Sequence, residues 1–329
     1  MGGMSRHTQA ASFPPSGFHC LLDELPVHLI PKQARGLLSE RVENPAELIL
    51  NPDCDVRAAD DIPAEIQLSP EGRAAFAPQG SIAWVRDECG SLLPFWLGTK
   101  LEALVRELRH GQTLPPEAPR DLIALLVAGG ILTTSNASVT HQRGRHRLQE
   151  SNVLFQKRGY TPLPALLHPF HVASLRRYYR SLIRTGKIQL GDAQSSLRYV
   201  AHNEPVASFF HHQLTPVFSA VAGEPLKPSY VYLASYLSGA DLKKHTDREQ
   251  CEFSITLCLD FSPEPELATP WPLRLQTSNG ETAVYQSLGD GLAYRGTQLP
   301  HFRSPLAPGH TSTSIFFHFV RADFEGPLA

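Results

Sequence analysis

The stretch Tyr236-Leu-Ser-Gly-Ala-Asp-Leu-Lys-Lys-His245-Thr-Asp247 sets two metal-capable side chains two positions apart where a strand-like run ends. Side chains on a strand alternate between faces, so His245 and Asp247 project to the same side and can converge on one point. A third ligand, His301, follows 56 positions after His245, beyond the strand-like Gly291-Leu-Ala-Tyr-Arg-Gly296. Two imidazoles and one carboxylate leave coordination positions open, which suits iron(II) that must take oxygen and a chelating ligand together. Zinc is the main competing metal. His-x-Asp alone is common, and its plain alternative is a surface turn with a solvated Asp. The setting favours a metal site: the pair lies between two strand-rich runs, and His301 is followed by Pro305, Gly309 and a final strand Ser314 to Val320.

Working outward, short strand-like runs dominate from Tyr230 onward: YVYLASYL, FSITLCLDF, PLRLQT, TAVYQSL, GLAYRG and TSIFFHFV. Gly, Pro, Asn and Asp separate them, which is the pattern of a β-sandwich or barrel. Upstream, Pro169 to Thr185 carries Val172, Leu175, Tyr178, Tyr179 and Leu182 at helical spacing. The polar, basic run SVTHQRGRHRLQ (138–149) reads as a linker. Before it, helices are expected over Leu97 to Leu108, ending near Gly111, and over Ala118 to Val127, closed by Gly129-Gly130 and followed by a strand Ile131 to Thr134. Strand, helix, helix, strand is a winged-helix-like order. The expected division is a disordered tail 1–18, a winged-helix-like domain 19–140, a linker 141–152 and a jelly-roll domain 153–329. The fold class is α+β.

Over roughly residues 150–325 the chain resembles the iron(II)/2-oxoglutarate-dependent oxygenases, especially the prolyl-4-hydroxylase-like branch. The matching pieces are Tyr236 before Gly239, His245-Thr-Asp247, Gly289-Asp290-Gly291, and His301 with Pro305 and Gly309 at four-residue intervals. The resemblance implies a double-stranded β-helix with the metal between its two sheets, and Fe(II), 2-oxoglutarate and O2 as cofactors, with ascorbate as a stimulant. It also implies oxidative decarboxylation of 2-oxoglutarate coupled to attack on an unactivated C–H bond, with hydroxylation as the default outcome. Halogenating members lack the carboxylate ligand, so Asp247 argues against halogenation.

One departure stands out. The family usually places Arg or Lys about ten positions after the distal His, to hold the far carboxylate of 2-oxoglutarate by charge-assisted hydrogen bonds. Thr311 stands there, and the usual Arg-x-Ser becomes Thr311-Ser-Thr313, which offers hydroxyls without charge. Arg303, two residues past His301, is the first candidate for the missing cation, with His310 and Arg295 behind it. Tyr236 matches the position from which a related Tyr donates to the cosubstrate. Arg248 and Arg295 are candidate substrate contacts. His202, His211 and His212 sit where structural histidines are common, His318 alternates with Phe and reads as packed, and Cys251 and Cys258 read as small hydrophobes.

The segment from Leu97-Gly-Thr to Gly129-Gly130-Ile131-Leu132 resembles the small PqqD-like winged-helix domains that bind leader peptides, which implies a peptide added at a sheet edge. A helical cap that only buttresses the jelly roll is the alternative, and a DNA-reading winged helix a third, although Arg106, Arg109 and His110 make a thin basic surface. The chain has 329 residues, 42% hydrophobic and 19% charged, with a formal net charge of −2, so nothing points to a nucleic-acid partner. Five cysteines without C-x-x-C spacing argue against a disulfide framework or zinc ribbon. No apolar run is long enough to span a bilayer, and a cytoplasmic protein is expected. The expected function is hydroxylation of an amino-acid residue in a peptide or of an amino-acid-like metabolite. The alternative is a non-catalytic jelly-roll module holding a structural metal.

Overall fold

The computed structural model describes residues 17–38, 45–106, 108, 113–114, 118–134 and 137–328. The first part of the chain contains β1 (Leu48–Leu50), β2 (Cys54–Ala58), α1 (Pro70–Ala75), β3 (Ser81–Arg86), β4 (Leu92–Leu97), α2 (Thr99–Arg106), α3 (Arg120–Ala128) and β5 (Leu132–Thr134). Strands β2, β3 and β4 form an antiparallel sheet, and β1 pairs with β5. The expected helix over 97–108 is shorter at its start because Leu97 still belongs to β4, and the expected helix over 118–127 is α3. Gly111, Arg109 and His110 lie outside the described residues, as do residues 1–16 of the expected tail.

The tail reading fails at its end, since Phe18 is a fully buried core residue. Its ring meets Phe76, Trp96, Tyr178 and Phe210 edge-on. Edge-to-face contact is the favoured geometry for aromatic pairs.

The linker expected over 141–152 is instead the middle of α4 (Ala137–Arg158), a 22-residue helix. Four of its polar side chains dock it on neighbouring elements. His141 bonds Asp53 at 2.6 Å and Arg147 pairs with Glu88 at 2.6 Å. Asn152 donates to the Val221 carbonyl at 2.9 Å and Gln156 donates to that of Ala222. These carbonyls lie at the end of a further helix, where the last turn leaves acceptors without intrahelical partners. Phe155 is buried on the same helix. One continuous core, reaching from Phe18 to Phe319, runs across the expected domain boundary.

Beyond α4 come β6 (Tyr160–Leu163), α5 (Pro169–Arg184), β7 (Gln189–Leu190), β8 (Arg198–His202), α6 (Pro205–Ala222), β9 (Leu226–Tyr236), β10 (Leu242–His245) and β11 (Phe253–Ser262). The chain closes with β12 (Leu273–Thr277), β13 (Gly280–Val284), β14 (Gly291–Arg295), β15 (His301–Arg303) and β16 (Thr311–Arg321). A seven-stranded sheet in the order β6-β14-β11-β16-β9-β8-β7 faces a four-stranded sheet in the order β10-β15-β12-β13. The strands of both sheets pair antiparallel, and the two together form the expected jelly roll. Helix α6 packs on the outer side of the large sheet, where its Phe218 meets Phe253 and Phe319 edge-on. That leaves the inner face to line a cleft between the sheets.

Candidate metal centre

His245 ends β10 and His301 begins β15, and the antiparallel register sets them directly opposite each other. Directly opposed residues share a face, and the two imidazole centroids are 4.4 Å apart. Asp247 follows β10 and is held in place by its backbone N–H, which donates to the Gly296 carbonyl at 2.9 Å. Its Oδ1 lies 3.5 Å from Nε2 of His245 and 3.5 Å from Nε2 of His301. Two ligands each ~2.1 Å from one ion lie ~3.0 Å apart at a right angle and ~3.4 Å apart at the tetrahedral angle. The three groups are therefore spaced to share an ion.

The surroundings prepare each ligand. Nδ1 of His245 donates to the Lys243 carbonyl at 2.7 Å, and Nδ1 of His301 donates to that of Leu299 at 2.9 Å. A carbonyl oxygen can only accept, so the proton sits on Nδ1 and the Nε2 lone pair is free to bind a metal. Burial alone would raise the Asp247 carboxyl. Without a metal, hydrogen bonds from the Nε2 atoms of His245 and His301 outweigh it and hold that carboxyl well below the usual range, a place that a bound cation would take over. Asp247 Oδ2 also accepts from Ser254 Oγ at 3.2 Å, and Ser254 Oγ in turn lies 2.8 Å from Nδ1 of His318. A Cβ on Gly296 would collide with the Asp247 carboxylate, so the close approach needs glycine.

Arg303 comes two residues after His301 and enters the barrel from the same face of β15. It is 4% exposed, and its guanidinium lies 4.7 Å over the Trp271 ring. Nη1 donates to the Trp271 carbonyl at 2.6 Å, whereas Nε is buried without a hydrogen-bond partner. Burial lowers its pKa, against the opposing pull of Tyr236, Cys258 and Tyr294. Tyr236 is fully buried with its ring centroid 5.1 Å from that of Trp271. Burial raises its pKa, and the Arg198 and Arg303 charges oppose this. Ser314, a second buried group with an unpartnered polar atom, stands opposite Cys258 on β11, and Cys258 in turn feels the Arg303 charge.

Thr311 and Thr313 do not join this group. The residues of β16 that face the cleft are the even ones: Ser312 opposes the cleft residue Tyr236, and Phe316 and His318 line the cleft themselves. Thr313 lies on the other face, bonded to Ser235 at 2.8 Å, and with Thr311 it faces α5 residues such as Arg176 and Arg180. His310 packs beside Phe261, and Arg295 lies over Phe155 and Phe253 on the outer side. Arg248 does reach the cleft mouth.

The cleft encloses about 540 Å³ in front of the triad. Its wall includes residues that carried no sequence signal: Arg198, bonded through both Nε and Nη2 to Asp192, and the rings of Tyr230 and Tyr232. His202 and His318 also line it, whereas His211 is buried against the His318 carbonyl at 2.8 Å.

No protein-family model and no curated protein matches the sequence. Solved structures do. The non-haem α-ketoglutarate-dependent epimerase SnoN from nogalamycin biosynthesis is 12% identical, over 54% of this chain and 84% of that one, with a TM-score of 0.45. A prolyl-4-hydroxylase of Pseudomonas putida is 18% identical, over 53% of this chain and 98% of its own, with a TM-score of 0.44. A prolyl hydroxylase of Trichoplax adhaerens, in complex with a hypoxia-inducible-factor peptide fragment, is 12% identical over 56% of this chain and 94% of its own, with a TM-score of 0.47. The chain resembles these proteins over about half its length. No helix among the described residues is long and apolar enough to cross a membrane.

Proposed function

We propose that this protein is a non-haem iron(II)/2-oxoglutarate-dependent dioxygenase that hydroxylates an unactivated C–H bond. The observation that carries this reading is Arg303: a buried cation with no carboxylate partner among the described residues, two residues from His301 and on the same face. An unpaired buried charge is costly, and a protein retains one where a ligand of opposite charge completes it. The far carboxylate of 2-oxoglutarate fits that place, with Ser314 and the Tyr236 hydroxyl as further donors and Arg303 Nε as the open one. His245, Asp247 and His301 would hold the iron through two Nε2 atoms and one carboxylate oxygen, leaving positions for the cosubstrate chelate and oxygen. Bound there, the iron and 2-oxoglutarate supply an oxidant strong enough to break a C–H bond. The protein's own part is to orient the ligands, neutralise the cosubstrate charge and exclude water.

A peptide substrate fits the first part of the chain. Strand β2 is an edge of its sheet, and a groove of about 510 Å³ runs between it and α2, lined by Val56, Arg57, Val105 and Leu108. An edge beside a helix can accept an extended peptide as an added strand. A reducing, cytoplasmic setting goes with the five free thiols.

Adding iron(II), oxygen and 2-oxoglutarate should release succinate from the wild-type protein and none from Asp247→Ala. Succinate release that is unchanged in Asp247→Ala, or absent from both, would overturn the enzyme reading in favour of a non-catalytic metal module.

A further inference from the structure

The wall of the cleft that runs from His318, beside Asp247, is aromatic. Tyr230 and Tyr232 lie on β9, Phe316 and His318 on β16, and His202 on β8. The rings lie against one another. His202 stacks on Tyr230 at 5.5 Å and 17°, Tyr230 meets His318 at 4.6 Å, and Phe316 lies nearly parallel to His318 at 6.4 Å and 6°. His202 also touches Tyr232 at 4.7 Å. A substrate that offers a C–H bond to the triad can lie on this surface, and a flat ring suits it.

The charges around the wall sort themselves. Asp192 is saturated: it accepts from Arg198, from the Tyr232 hydroxyl at 2.6 Å and from the backbone N–H groups of Gln194 and Ser195. Arg198 is thereby neutralised. Asp247 belongs to the triad. Arg248 remains, exposed at the mouth with its guanidinium 4.9 Å over Tyr230 and no acidic partner among the described residues. Cations already occupy the faces of Tyr230 and Tyr232, the latter through Arg198 at 5.5 Å. The wall is therefore closed to a cationic group, which an aromatic surface would otherwise attract.

We infer that the substrate is a planar-ring compound bearing an oxyanion, its ring laid on His318 and Phe316 beside the covered face of Tyr230 and its anion held by Arg248. The inference rests on the proposed function, since it takes the triad as the reacting end of the cleft. Arg248 then sets specificity: it discriminates anionic from neutral and cationic forms of one ring. The ring and anion can belong to a free aromatic acid, or to an aromatic residue beside an acidic one in a peptide.

The test uses the full chain with iron(II) and 2-oxoglutarate under anaerobic conditions, titrated with indole-3-acetate, indole-3-ethanol and tryptamine. Saturation-transfer NMR reads binding and does not depend on the metal. The acid is expected to bind about tenfold more tightly than the alcohol, as for one charge-assisted hydrogen bond, and tryptamine more weakly than either. Arg248→Gln should erase the difference between acid and alcohol, and His202→Ala should weaken both alike. Tighter binding of acetyl-Trp-Asp-amide than of indole-3-acetate would support the inference with a peptide as the source, and the reverse would support it with a free acid. Tryptamine binding as well as the acid, an acid preference that survives Arg248→Gln, or no indole binding would overturn it. The visible band of iron(II)-bound 2-oxoglutarate, read in the same samples, reports separately on the proposed function.

Discussion

Arg303 follows His301 by two residues on one short strand, so a candidate metal ligand and a buried, acid-free guanidinium enter the barrel from the same face. The relationship ties the metal point to a charge that no acidic side chain among the described residues neutralises. It has a consequence for stability as well as for binding.

Without cosubstrate, Arg303→Met should leave the protein as stable as the wild type or raise its melting temperature, because an unpaired buried charge is replaced by an apolar chain of similar length. With 2-oxoglutarate present the order should reverse, since only the wild type gains from the ligand. Thermal unfolding with and without cosubstrate checks this. A large loss of stability in the cosubstrate-free variant would mean that Arg303 is structural.

Ser254→Ala should weaken metal binding by about tenfold, as for other groups that orient a metal-binding carboxylate. Ser254 touches Asp247 Oδ2 and not the metal point, so the fold should persist. Competition against a chelator measures the affinity, and an unchanged value would remove Ser254 from the role.

Acid should destabilise the protein through His168 and His171. Burial pushes the first down to about 4 and the second down to about 3, where the His168 charge adds to the effect. In the unfolded chain both titrate near 6.5. Their folded values are depressed, so below about 6.5 the unfolded state takes up protons that the folded state refuses. Stability therefore falls as pH drops from there toward 4, by ~1.4 kcal/mol per pH unit for each histidine. Denaturant unfolding between pH 7 and 4 measures the slope. Replacing both with Asn should reduce it, the buried His19 and His211 keeping the remainder, and an unaltered slope would assign the acid sensitivity elsewhere.

Gly144→Ala should cost about 1–3 kcal/mol, because a Cβ there would collide with the Glu88 carbonyl where α4 docks. Trypsin should spare Arg143, Arg145 and Arg147 in the native protein. Rapid cleavage at these sites would restore the linker reading of 141–152.

The triad was legible because its spacing is local: His245 and Asp247 need only strand alternation, and the run before His301 reads as a strand. The register of β16 was not. A slip of one residue exchanges the two faces of a strand, and Thr311 with Thr313 differ from Ser312 with Ser314 by that single step. The register shift of β11 against β16 between Cys258 and Asp260 leaves no mark in the sequence. Helix α4 was hidden by polarity, since Arg143, Arg145, Glu150, Lys157 and Arg158 face solvent and polar side chains such as Arg147 and Asn152 do part of its docking. Helix α6 carries Pro216 inside it and so breaks the usual helical signal. His202, Tyr230 and His318 become a wall only when β8, β9 and β16 are set side by side, a tertiary fact with no local trace.

Arg303 is proposed to anchor the cosubstrate at an iron held by His245, Asp247 and His301. Anaerobic titration of the iron(II)-loaded protein with 2-oxoglutarate, followed by the visible metal-to-ligand band, tests it most directly. The account predicts a saturable band in the wild type, no band in Asp247→Ala, and a midpoint at least roughly tenfold higher in Arg303→Ala, as for the loss of a charge-assisted pair. A wild type without a band, or an Arg303→Ala variant with an unchanged midpoint, would contradict it.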